Sequence, residues 1–560
     1  MAHAVLELFP KTKFGIGPAI ENGFYYDFNF NIAEGDLMKI EKRMKELIKK
    51  NISFKRKLVS KTEAKKIFKN QPYKLELIKE LPAKQITVYQ SGDFIDLCAG
   101  PHIKNTKEID IEAFKLLKIA GAYWKGDEKN PMLTRIYGLA FETKKELLDY
   151  IEKQAEAEKR DHVILGKKLG LFMISSEVGQ GLPIWLPKGA LLRKIIEDFI
   201  IKKYLKNGYE LVGTPHIGSE KLFSISGHLT NYKDGMYSPI EIEKEKYYLK
   251  PMNCPMHLMI YKNSPKSYRD LPVRYTELGT VYRYEKSGVL HGLTRVRGFT
   301  QDDGHIICRE DQLEEEINKA IKLTKEILEI FGFKDFRVAL SVRDPKNKKK
   351  YLGSDKMWKM AEDKLEKGIK NAGWNFKREE GEAVFYGPKM DIKVKDSIGR
   401  ELQISTLQVD FNLPERFDID FINEKSQKER PFMLHRALLG SLERFIGVLI
   451  EHYAGVLPLW LSPIQAEIIN IGLAHRQYAE KICSQLLAND IRVSLSDENQ
   501  TVSKRIREAE IKKIPYILVV GDKELANNTV NVRSRKGSEG EIKFEKFLGQ
   551  IKKEIVDKVI

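Results

Sequence analysis

One segment, residues 279–307, combines side chains that bind phosphate, stack on aromatic rings and pair with amines. Both of its halves alternate as strands do, with a loop around Ser287, Gly288 and Gly292, so the pattern predicts a polar hairpin. Guanidinium groups bind phosphates bidentately and aromatic rings stack on bases, so these types indicate a site for a polyphosphate, an aromatic base and a small amine. The candidates are Arg283, Glu285, Arg295, Arg297, Phe299, Gln301 and Asp303. A solvated edge hairpin is the alternative, because unpaired charges are costly to bury.

Three residues with metal-binding side chains stand far apart in the sequence. They are Cys254 in LKPMNCPMH, His305 in DDGHII and His435 in FMLHRALLG. A Cys/His/His set with an open fourth position is typical of a zinc site that binds a substrate or takes part in catalysis. Their spacing follows no local rule, so spacing leaves open that each is a buried structural residue. Cys98 and His102 form a closer pair, but the Gly and Pro between them fit an ordinary turn equally well.

The overall composition is that of a globular protein without disulfides. The 560 residues are 42% hydrophobic and 31% charged, with a net charge of +17. The positive charge is spread along the chain, so it indicates either a surface for nucleic acid or a general excess of lysine. The four cysteines lie far apart, which argues against a disulfide framework and favours a reducing, cytoplasmic compartment. No signal-peptide pattern is present, and the longest apolar stretch, 445–464, is interrupted by Glu451, His452 and two prolines, so no membrane span is predicted.

The pattern of hydrophobic and polar residues along the chain predicts a division into four parts. Strands punctuated by Gly and Pro predict an α+β domain over residues 1–143, followed by a charged connecting helix over 144–167. The central part, 168–461, mixes polar strands with amphipathic helices and carries most of the unusual residues. Strands and helices alternate over 462–560, which predicts a small α/β domain.

Five segments carry a resemblance to a known family. They are, in order, PMNCPMH, YRYEKSGVLHGLTRVRGFTQDDGHI, FYGPKMDI, LQVDFNLPERF and HRALLGSLERFIGVLIEHYAG. The chain closely resembles the threonyl-tRNA synthetases, a class II aminoacyl-tRNA synthetase family, over nearly its whole length. The helix predicted near 191–207 looks like class II motif 1, the hairpin like motif 2 and GSLERFIG like motif 3. The resemblance implies a multidomain protein with an antiparallel class II catalytic sheet in an α+β setting and an α/β anticodon-binding domain over 462–560.

The activity implied by the resemblance is a ligase reaction. ATP and L-threonine would form threonyl adenylate, and threonine would then pass to tRNA(Thr), in a cytoplasmic homodimer that does not involve a membrane. Arg283 would grip the α-phosphate, where negative charge grows as the carboxylate attacks. Glu285 would accept a hydrogen bond from the adenine amino group, Phe299 would stack on adenine, and Arg295 and Arg444 would hold the outer phosphates with Mg²⁺. A structural ion pair between Glu285 and Arg444 is the alternative for those two.

Threonine recognition, as the resemblance implies it, depends on one zinc ion per subunit. Cys254, His305 and His435 match the family's ligands, and open zinc positions would take the amino group and the hydroxyl of threonine. A site that binds the hydroxyl rejects valine by ~10⁴ or more, whereas an apolar pocket separates such isosteres by about 10²-fold. Asp303 would pair with the substrate ammonium. The remaining matches to the family's pocket, which could instead serve only the sheet, are Gln301, Tyr386, Lys389 and Gln408.

Serine retains both the hydroxyl and the amine, and the missing methyl is worth roughly 1–3 kcal/mol, so a second, hydrolytic site is expected. Bacterial members of the family have an N-terminal editing domain, which pairs an H-x-x-x-H helix with a C-x-x-x-H loop. Asp96, Cys98 and His102 match the loop. By alignment that helix would precede Met1, with His3 beyond it, which predicts an N-terminally shortened type with impaired or lost editing of seryl-tRNA(Thr). A start codon upstream of the recorded one is the alternative.

The C-terminal part contains matches to positions that read anticodon bases in the family. They are Asn499, Arg507, Glu524 and Arg533. Such side chains hydrogen-bond the edges of splayed bases, although each could be a solvated surface residue. Two other classes stay open: another class II synthetase, such as the prolyl or seryl enzyme, and a non-catalytic binding protein derived from a synthetase. The first gives no reason for the Cys/His/His set, and the second would be expected to have lost Arg283, Arg444 or that set.

Overall fold

The chain folds into two compact units. A computed structural model describes residues 1–82, 85–396, 399–496 and 499–559. The units are Met1–Ala155 and Glu156–Ile560. The predicted connector spans their division, and it forms two helices, α5 (Lys144–Arg160) and α6 (His162–Leu169). Asp161 separates the helices because its carboxylate caps α6 by accepting the amides of Val163 and Ile164.

The first unit is an α+β fold with two antiparallel sheets. One sheet has the strand order β1-β3-β8-β7, with β2 paired to β3, and the other has the order β4-β5-β6. Its elements are α1 Ala2–Leu8, β1 Lys13–Phe14, β2 Ala19–Ile20, β3 Gly23–Asn29, α2 Leu37–Lys49, β4 Phe54–Ser60, α3 Lys61–Ile67, α4 Pro72–Glu80, β5 Gln85–Ser91, β6 Phe94–Leu97, β7 Phe114–Tyr123 and β8 Met132–Ala140. Helix α2 buries Ile40, Met44 and Leu47, whose helical spacing forms one apolar face against this core.

The second unit is built on an eight-stranded sheet with the order β11-β15-β16-β23-β20-β19-β17-β18. The pairs β11–β15 and β17–β18 are parallel and the others antiparallel. Its strands are β9 Phe172–Met173, β10 Ile184–Trp185, β11 Glu210–Leu211, β12 Ile217–Ser219, β13 Ile240–Ile242, β14 Glu245–Leu249, β15 Val273–Tyr282, β16 Gly298–Cys308, β17 Arg337–Val342, β18 Phe376–Glu380, β19 Lys389–Lys395, β20 Glu401–Asp410, β21 Phe421–Ile422, β22 Lys428–Glu429 and β23 Phe432–Ser441. The predicted antiparallel catalytic sheet is confirmed.

Helices pack against both faces of this sheet, because neighbouring residues of one strand, Ile306 and Ile307, belong to two different apolar cores. They are α7 Pro187–Lys206, α8 Glu220–Ile225, α9 His228–Asn231, α10 Cys254–Lys262, α11 Leu313–Ile330, α12 Asp355–Asn371, α13 Leu413–Arg416 and α14 Leu442–His452. The three predicted motifs meet at Glu443 of α14. Its carboxylate accepts the Thr300 amide of β16 at 2.9 Å and lies 3.3 Å from Nη1 of Arg193 in α7. This buried contact holds α7, the hairpin strand and α14 together.

The C-terminal part of the second unit is the α/β fold that the sequence predicts. Its sheet has the order β25-β24-β26-β27-β28, with three parallel strands followed by an antiparallel hairpin. The elements are β24 Ala466–Asn470, α15 Arg476–Leu487, β25 Val493–Leu495, α16 Val502–Ile511, β26 Tyr516–Val520, α17 Asp522–Asn527, β27 Thr529–Ser534, β28 Gly537–Lys543 and α18 Phe544–Asp557. Parallel pairing requires crossover helices, which explains the alternating pattern.

The polar hairpin is present, but its strands are shorter at the loop end than the alternation predicts. Strand β15 ends at Tyr282 and β16 begins at Gly298. One further backbone bond joins Arg283 to Arg297, after which the Arg297 guanidinium donates to the Glu285 carbonyl. Because that side chain stands between the two segments, the chain leaves the ladder and forms a loop.

Among the described residues, none of the helices is both long and apolar enough to cross a membrane. The apolar stretch near residue 450 instead forms α14 and the turn after it. Phe445, Ile446 and Leu449 of this helix are fully buried in the core of the second unit.

Candidate active site

Strand register brings four predicted residues into one row across the sheet. His305 of β16 lies opposite His435 of β23, His435 opposite Gln408 of β20, and Gln408 opposite Lys389 of β19. Directly opposed residues point to the same face of a sheet. Phe299, Gln301, Asp303 and His305 alternate along β16, so they share one face as well. One side of the sheet therefore carries nearly all the candidates from the hairpin and the pocket.

Cys254, His305 and His435 form a compact group of possible metal ligands. One donor atom from each lies within 4.8 Å of the others, and all three residues are buried. Nε2 of His305 and Nδ1 of His435 are 3.0 Å apart. Cys254 begins helix α10, whose first turn includes Pro255. A thiolate with two imidazoles is a donor set that suits zinc, so the residues present fit this ion.

The outward nitrogens of both histidines are held by residues that the sequence did not single out. Nδ1 of His305 lies 2.7 Å from Nδ1 of His257, and Nε2 of His257 lies 3.3 Å from the Glu277 carboxylate. Nε2 of His435 lies 2.9 Å from Asp410. Partners of this kind fix the tautomer of a metal-binding imidazole and leave the inner nitrogen unprotonated. His257 lies three residues after Cys254 in CPMH, but a lone buried histidine carries no distinctive signal.

Burial governs the ionisation of this group. Burial, reinforced by the carboxylates of Asp303 and Asp410, raises the pKa of the Cys254 thiol well above its usual value. Burial and the neighbouring imidazoles His257 and His435 lower the pKa of His305 far below its usual value. A thiol in such a position ionises readily only beside a cation, and a neutral imidazole is the form that ligates metals.

A second group of potential metal ligands, Asp161, His162 and Glu451, lies elsewhere in the unit. Nδ1 of His162 is 2.7 Å from Oε1 of Glu451, and its Nε2 accepts the Leu293 amide at 3.0 Å. Because Nε2 accepts a main-chain N–H, Nδ1 must carry the ring proton, and neither nitrogen has a lone pair left for a metal at this place.

Three arginines converge beside the hairpin. Burial, followed by the positive charges of Arg283 and Arg295, lowers the pKa of Arg444. Such mutual repulsion indicates a site that is completed by an anion, because like charges brought together are destabilising until a negative group arrives. The Arg283 guanidinium lies 5.0 Å from the centre of the Phe299 ring, so the aromatic candidate adjoins the basic cluster.

The sequence left open an ion pair between Glu285 and Arg444, but in the structure Glu285 pairs with a different arginine. Glu285 binds Arg295, with Nε and Nη2 donating to Oε2 at 3.1 and 3.0 Å. Arg444 instead donates to the main-chain carbonyls of Thr294 and Gln403. A pair between Glu285 and Arg444 is thus absent from the contacts of the described chain. Arg297 is committed to the carbonyl of Glu285 rather than to an open site.

The pocket residues differ in how tightly they are held. Asp303 is buried and accepts a hydrogen bond from Nδ2 of Asn253 at 2.9 Å, and burial raises its pKa. The Tyr386 hydroxyl donates to Oε1 of Gln408 at 2.7 Å. Lys389 donates to Asp391 at 2.7 Å. The half-buried Gln301 lies opposite Gly279, where a side chain would collide with Asn253.

Another titratable side chain near the site, His228, was also missed by the sequence reasoning. His228 is buried at the start of α9, where Nδ1 contacts the Ser226 hydroxyl at 2.7 Å. Burial, followed by the charges of Arg283 and His435, lowers its pKa to about 4. It lies in GHLTN, which has no pattern that distinguishes it from a core histidine.

The candidate editing residues lie in the first unit. Nζ of Lys74 is 2.6 Å from Oδ1 of Asp96, and the Tyr26 hydroxyl donates to Oδ2 at 2.5 Å. Cys98 Sγ and His102 Nε2 are 3.2 Å apart. The loop thus brings its predicted thiol and imidazole together, while Asp96 is held by a buried lysine. His3 stacks on Phe94 at the turn of the β5–β6 hairpin, with ring centres 5.6 Å apart.

The four anticodon candidates occupy different settings. Arg507 is exposed on α16, one turn from Glu510, and Arg533 of β27 lies 4.0 Å from that glutamate. Asn499 is exposed in the turn before α16. Glu524 is buried, where it caps α17 by accepting the Gly521 amide at 3.0 Å. Arg533 therefore pairs with a glutamate on the helix that carries Arg507, and Glu524 has a structural contact of its own.

Comparison with protein families identifies three regions. Residues 237–453 match the tRNA synthetase class II core domain (G, H, P, S and T), and residues 465–554 match an anticodon binding domain. Residues 86–137 match the threonyl and alanyl tRNA synthetase second additional domain. Together with the antiparallel sheet and its arginine cluster, these matches define a class II aminoacyl-tRNA synthetase.

Comparison with individual proteins identifies the family within this class of synthetases. A threonine–tRNA ligase from Sulfurihydrogenibium sp. is 52% identical over 100% of this chain and 87% of its own length, and that of Aquifex aeolicus is 49% identical over 100% and 88%. A crystal structure of the RNA binding domain of threonyl-tRNA synthetase from Cryptosporidium parvum superposes with a TM-score of 0.67 at 37% identity, covering 70% of this chain and 98% of the other. The chain belongs to the threonine–tRNA ligase family.

Proposed function

We propose that this ligase activates L-threonine with ATP, forming threonyl adenylate and releasing pyrophosphate, before transfer of threonine to tRNA(Thr), and that it selects threonine with zinc held by Cys254, His305 and His435. The observation that supports the proposal is the shared face of β16, on which Phe299, next to Arg283, is followed by Gln301, Asp303 and His305 of the metal group. A molecule that reaches from the metal group to Arg283 would have its carboxylate next to the phosphates. This is the arrangement that adenylate formation needs, because reacting atoms must be held close and aligned.

ATP binding is assigned to the hairpin and the start of α14. Arg283 binds the α-phosphate and stabilises the charge that grows there during attack by the threonine carboxylate. Phe299 stacks on adenine, and Glu285 accepts from its amino group while Arg295 steadies the carboxylate. Arg295 and Arg444 bind the outer phosphates, with Mg²⁺ accompanying ATP. The mutual repulsion of the three guanidinium groups supports these roles, because an anion relieves it.

Threonine binding is assigned to the other half of the same face. The Asp303 carboxylate pairs with the substrate ammonium, and Asn253 holds that carboxylate in place. Gln301, Tyr386, Lys389 and Gln408 line the pocket. When bound, zinc supplies a Lewis acid that distinguishes a hydroxyl from a methyl group. Valine lacks the hydroxyl, so the polar groups that bind the hydroxyl of threonine would have no partner, and valine is bound less tightly.

Amino-acid-dependent exchange of pyrophosphate into ATP tests the proposal. We expect exchange with threonine, weaker exchange with serine, and valine discrimination of ~10⁴. Proline should give none. Metal analysis of the same sample should find one zinc per chain. Exchange that depends on proline, or threonine exchange that is indifferent to zinc removal, would contradict the proposal.

Editing is proposed to be weak in this chain. Cys98 and His102 adjoin each other, but Asp96 is already neutralised by Lys74, and His3 stacks on Phe94. Hydrolysis of seryl-tRNA(Thr) by the purified chain provides the test, with the Cys98→Ala variant as the control. We expect slow deacylation that changes little in the variant. Rapid hydrolysis that Cys98→Ala abolishes would sink the idea.

The chain is divided into four functional parts and forms a dimer in this proposal. We assign residues 1–143 to the editing-like domain, 144–167 to the connector, 168–461 to catalysis and 462–560 to anticodon binding through Asn499, Arg507, Glu524 and Arg533. We also propose a cytoplasmic homodimer joined through the surface of α7 and β11. Exposed Leu191, Leu205 and Leu211 on these elements support such an interface. Sedimentation analysis of the full chain would distinguish a dimer from a monomer.

A further inference from the structure

His162 is a fully buried histidine between two parts of the catalytic unit, and the proposed reaction gives it no role. It is the first residue of α6. Its main-chain amide and its Nδ1 both approach Oε1 of Glu451, at 3.2 and 2.7 Å. On its other side, Nε2 accepts the main-chain amide of Leu293 at 3.0 Å.

These contacts determine the proton arrangement of the imidazole. Nε2 accepts a main-chain N–H, so it has no proton of its own. Nδ1 therefore holds the ring proton and donates it to the Glu451 carboxylate. His162 thus acts as a rigid spacer between α14 and the hairpin loop, with a donor at one end and an acceptor at the other.

The segment that His162 holds is the turn 291–295. His291 and Arg295 exchange main-chain hydrogen bonds, each at 3.1 Å, which closes this turn. Gly292 lies so close to the imidazole that an added Cβ would be 2.2 Å from Nε2 of His162. The turn therefore rests directly on His162, and the packing leaves no space for a different loop path at this point.

Two predicted ATP ligands depend on the same turn. Arg295 is its last residue and pairs with Glu285. Arg444 approaches from α14 and donates its Nε to the Thr294 carbonyl at 3.0 Å. A shift of the main chain at Leu293 would thus move Arg295 directly and would remove a contact of Arg444.

We propose that His162 is a positioning residue for the ATP site, which acts by accepting the Leu293 amide and so fixing the turn that places Arg295 and Arg444. The inference rests on the proposed role of those two arginines in binding ATP. It assigns His162 no contact with a substrate. Its distinctive consequence is a defect confined to ATP, because the metal group and Asp303 lie on other elements.

Two substitutions separate the two hydrogen bonds of the imidazole. In His162→Gln the side-chain oxygen can reach the position of Nε2 and accept the Leu293 amide, while the bond to Glu451 is lost. In His162→Asn the shorter amide can donate to Glu451 but cannot reach Leu293. Both variants lose one buried hydrogen bond, so they should lose comparable thermal stability.

Pyrophosphate exchange at varied ATP and varied threonine gives the decisive readout. We expect His162→Asn to raise the KM for ATP about 10-fold, since an unsatisfied buried amide costs enough to displace the turn. The KM for threonine and the zinc content should stay unchanged. His162→Gln should keep the KM for ATP close to that of the wild type. Equal ATP defects in both variants, in proportion to their lost Tm, would show a merely structural role and overturn the inference.

Glycine substitutions provide a second test. Gly292→Ala pushes the turn away from the imidazole and should reproduce the selective ATP defect. Gly373→Ala, outside this loop, is the matched control, because Gly373 also has a positive φ and a Cβ there meets open space, so the KM for ATP should not change. An unaltered KM for ATP in Gly292→Ala would count against the inference while leaving threonine-dependent exchange, and with it the proposed function, intact. Wild-type exchange that fails with threonine would refute the proposed function itself.

Discussion

The two histidines next to Cys254 are oriented by residues outside the predicted metal group. His257 and Asp410 contact the outer nitrogens of His305 and His435, which leaves the inner nitrogens to face Cys254. The resemblance supplied the three ligands by matched position. Their partners carried no signal, because a buried imidazole or carboxylate is recognisable as a partner only when its neighbour is known.

Replacement of Cys254 tests the metal group at the scale of one atom. We expect Cys254→Ser to lose bound zinc, because a serine hydroxyl remains protonated where a thiolate would bind. Rejection of valine should then fall from ~10⁴ towards about 10². Metal analysis and valine-dependent pyrophosphate exchange measure the two effects. Cys483→Ser, which alters a half-buried thiol in the C-terminal α/β fold, should change neither quantity. A Cys254→Ser protein with full zinc content would contradict the assignment.

At the scale of the element, a bulge joins the two halves of the site. Register shifts between Gln301 and Asp303, so that residues 438–440 of β23 lack normal partners. The Asp302 carboxylate fills this gap by accepting the amides of Leu438 and Leu439, both at 2.9 Å, and the Tyr204 hydroxyl. The bulge sets where α14 begins, and hence where Arg444 lies. Alternation predicted the strands but not the bulge, because a register shift depends on a partner strand far away in sequence.

Titration of Asp302 at this bulge should make the free energy of unfolding depend on pH. Burial, opposed by Arg436, the Tyr204 hydroxyl and two amides, raises the pKa of Asp302 from 3.8 to about 6. The folded state therefore keeps its proton to higher pH than the unfolded chain. The resulting stabilisation is complete below pH 4 and is lost as the pH rises to about 6, an effect on the order of 3 kcal/mol.

The Asp302→Asn variant should lack this titration. We expect the Tm of the variant minus the Tm of the wild type to be several degrees higher at pH 7.5 than at pH 4.5. Thermal unfolding at the two pH values measures the change. Asp311→Asn is the control, because Arg309 lowers the pKa of Asp311 below 3.8, so this carboxyl titrates below both pH values and its Tm difference from the wild type should be the same at each. A pH-independent difference for Asp302→Asn would show that Asp302 does not titrate as described.

At the scale of the whole second unit, two arginines join the segment that follows α14 to the C-terminal α/β fold. Arg492 donates to the carbonyls of Ser462 and Trp460, and Arg535 donates to those of Leu457 and Lys513. Burial lowers the pKa of the half-buried Arg492 to about 10. Arg533, by contrast, is half-buried on β27 and pairs with Glu510 instead.

Substitution of Arg533 should therefore separate tRNA binding from activation. We expect Arg533→Ala to raise the KM for tRNA about 10-fold, since one lost base contact costs 1–3 kcal/mol by general experience. Threonine-dependent pyrophosphate exchange should be unaffected, because the adenylation residues lie on a different sheet. Lys546→Ala removes the same charge from an exposed position on α18 and should leave both activities unchanged. Equal loss of aminoacylation and exchange in Arg533→Ala would refute the anticodon assignment.

The sequence by itself determined the family, the α/β alternation of the C-terminal part and the residue types of the active site. These features are local, because periodicity and short motifs are contained in a few neighbouring residues. Tertiary structure alone decided which of those residues meet. His305 and His435 are 130 positions apart and His162 and Glu451 are 289 apart, and each pair forms only because strand register and helix packing bring distant segments together. The same reason explains why Glu285 pairs with Arg295 and not Arg444, and why His162 emerged only from the folded chain.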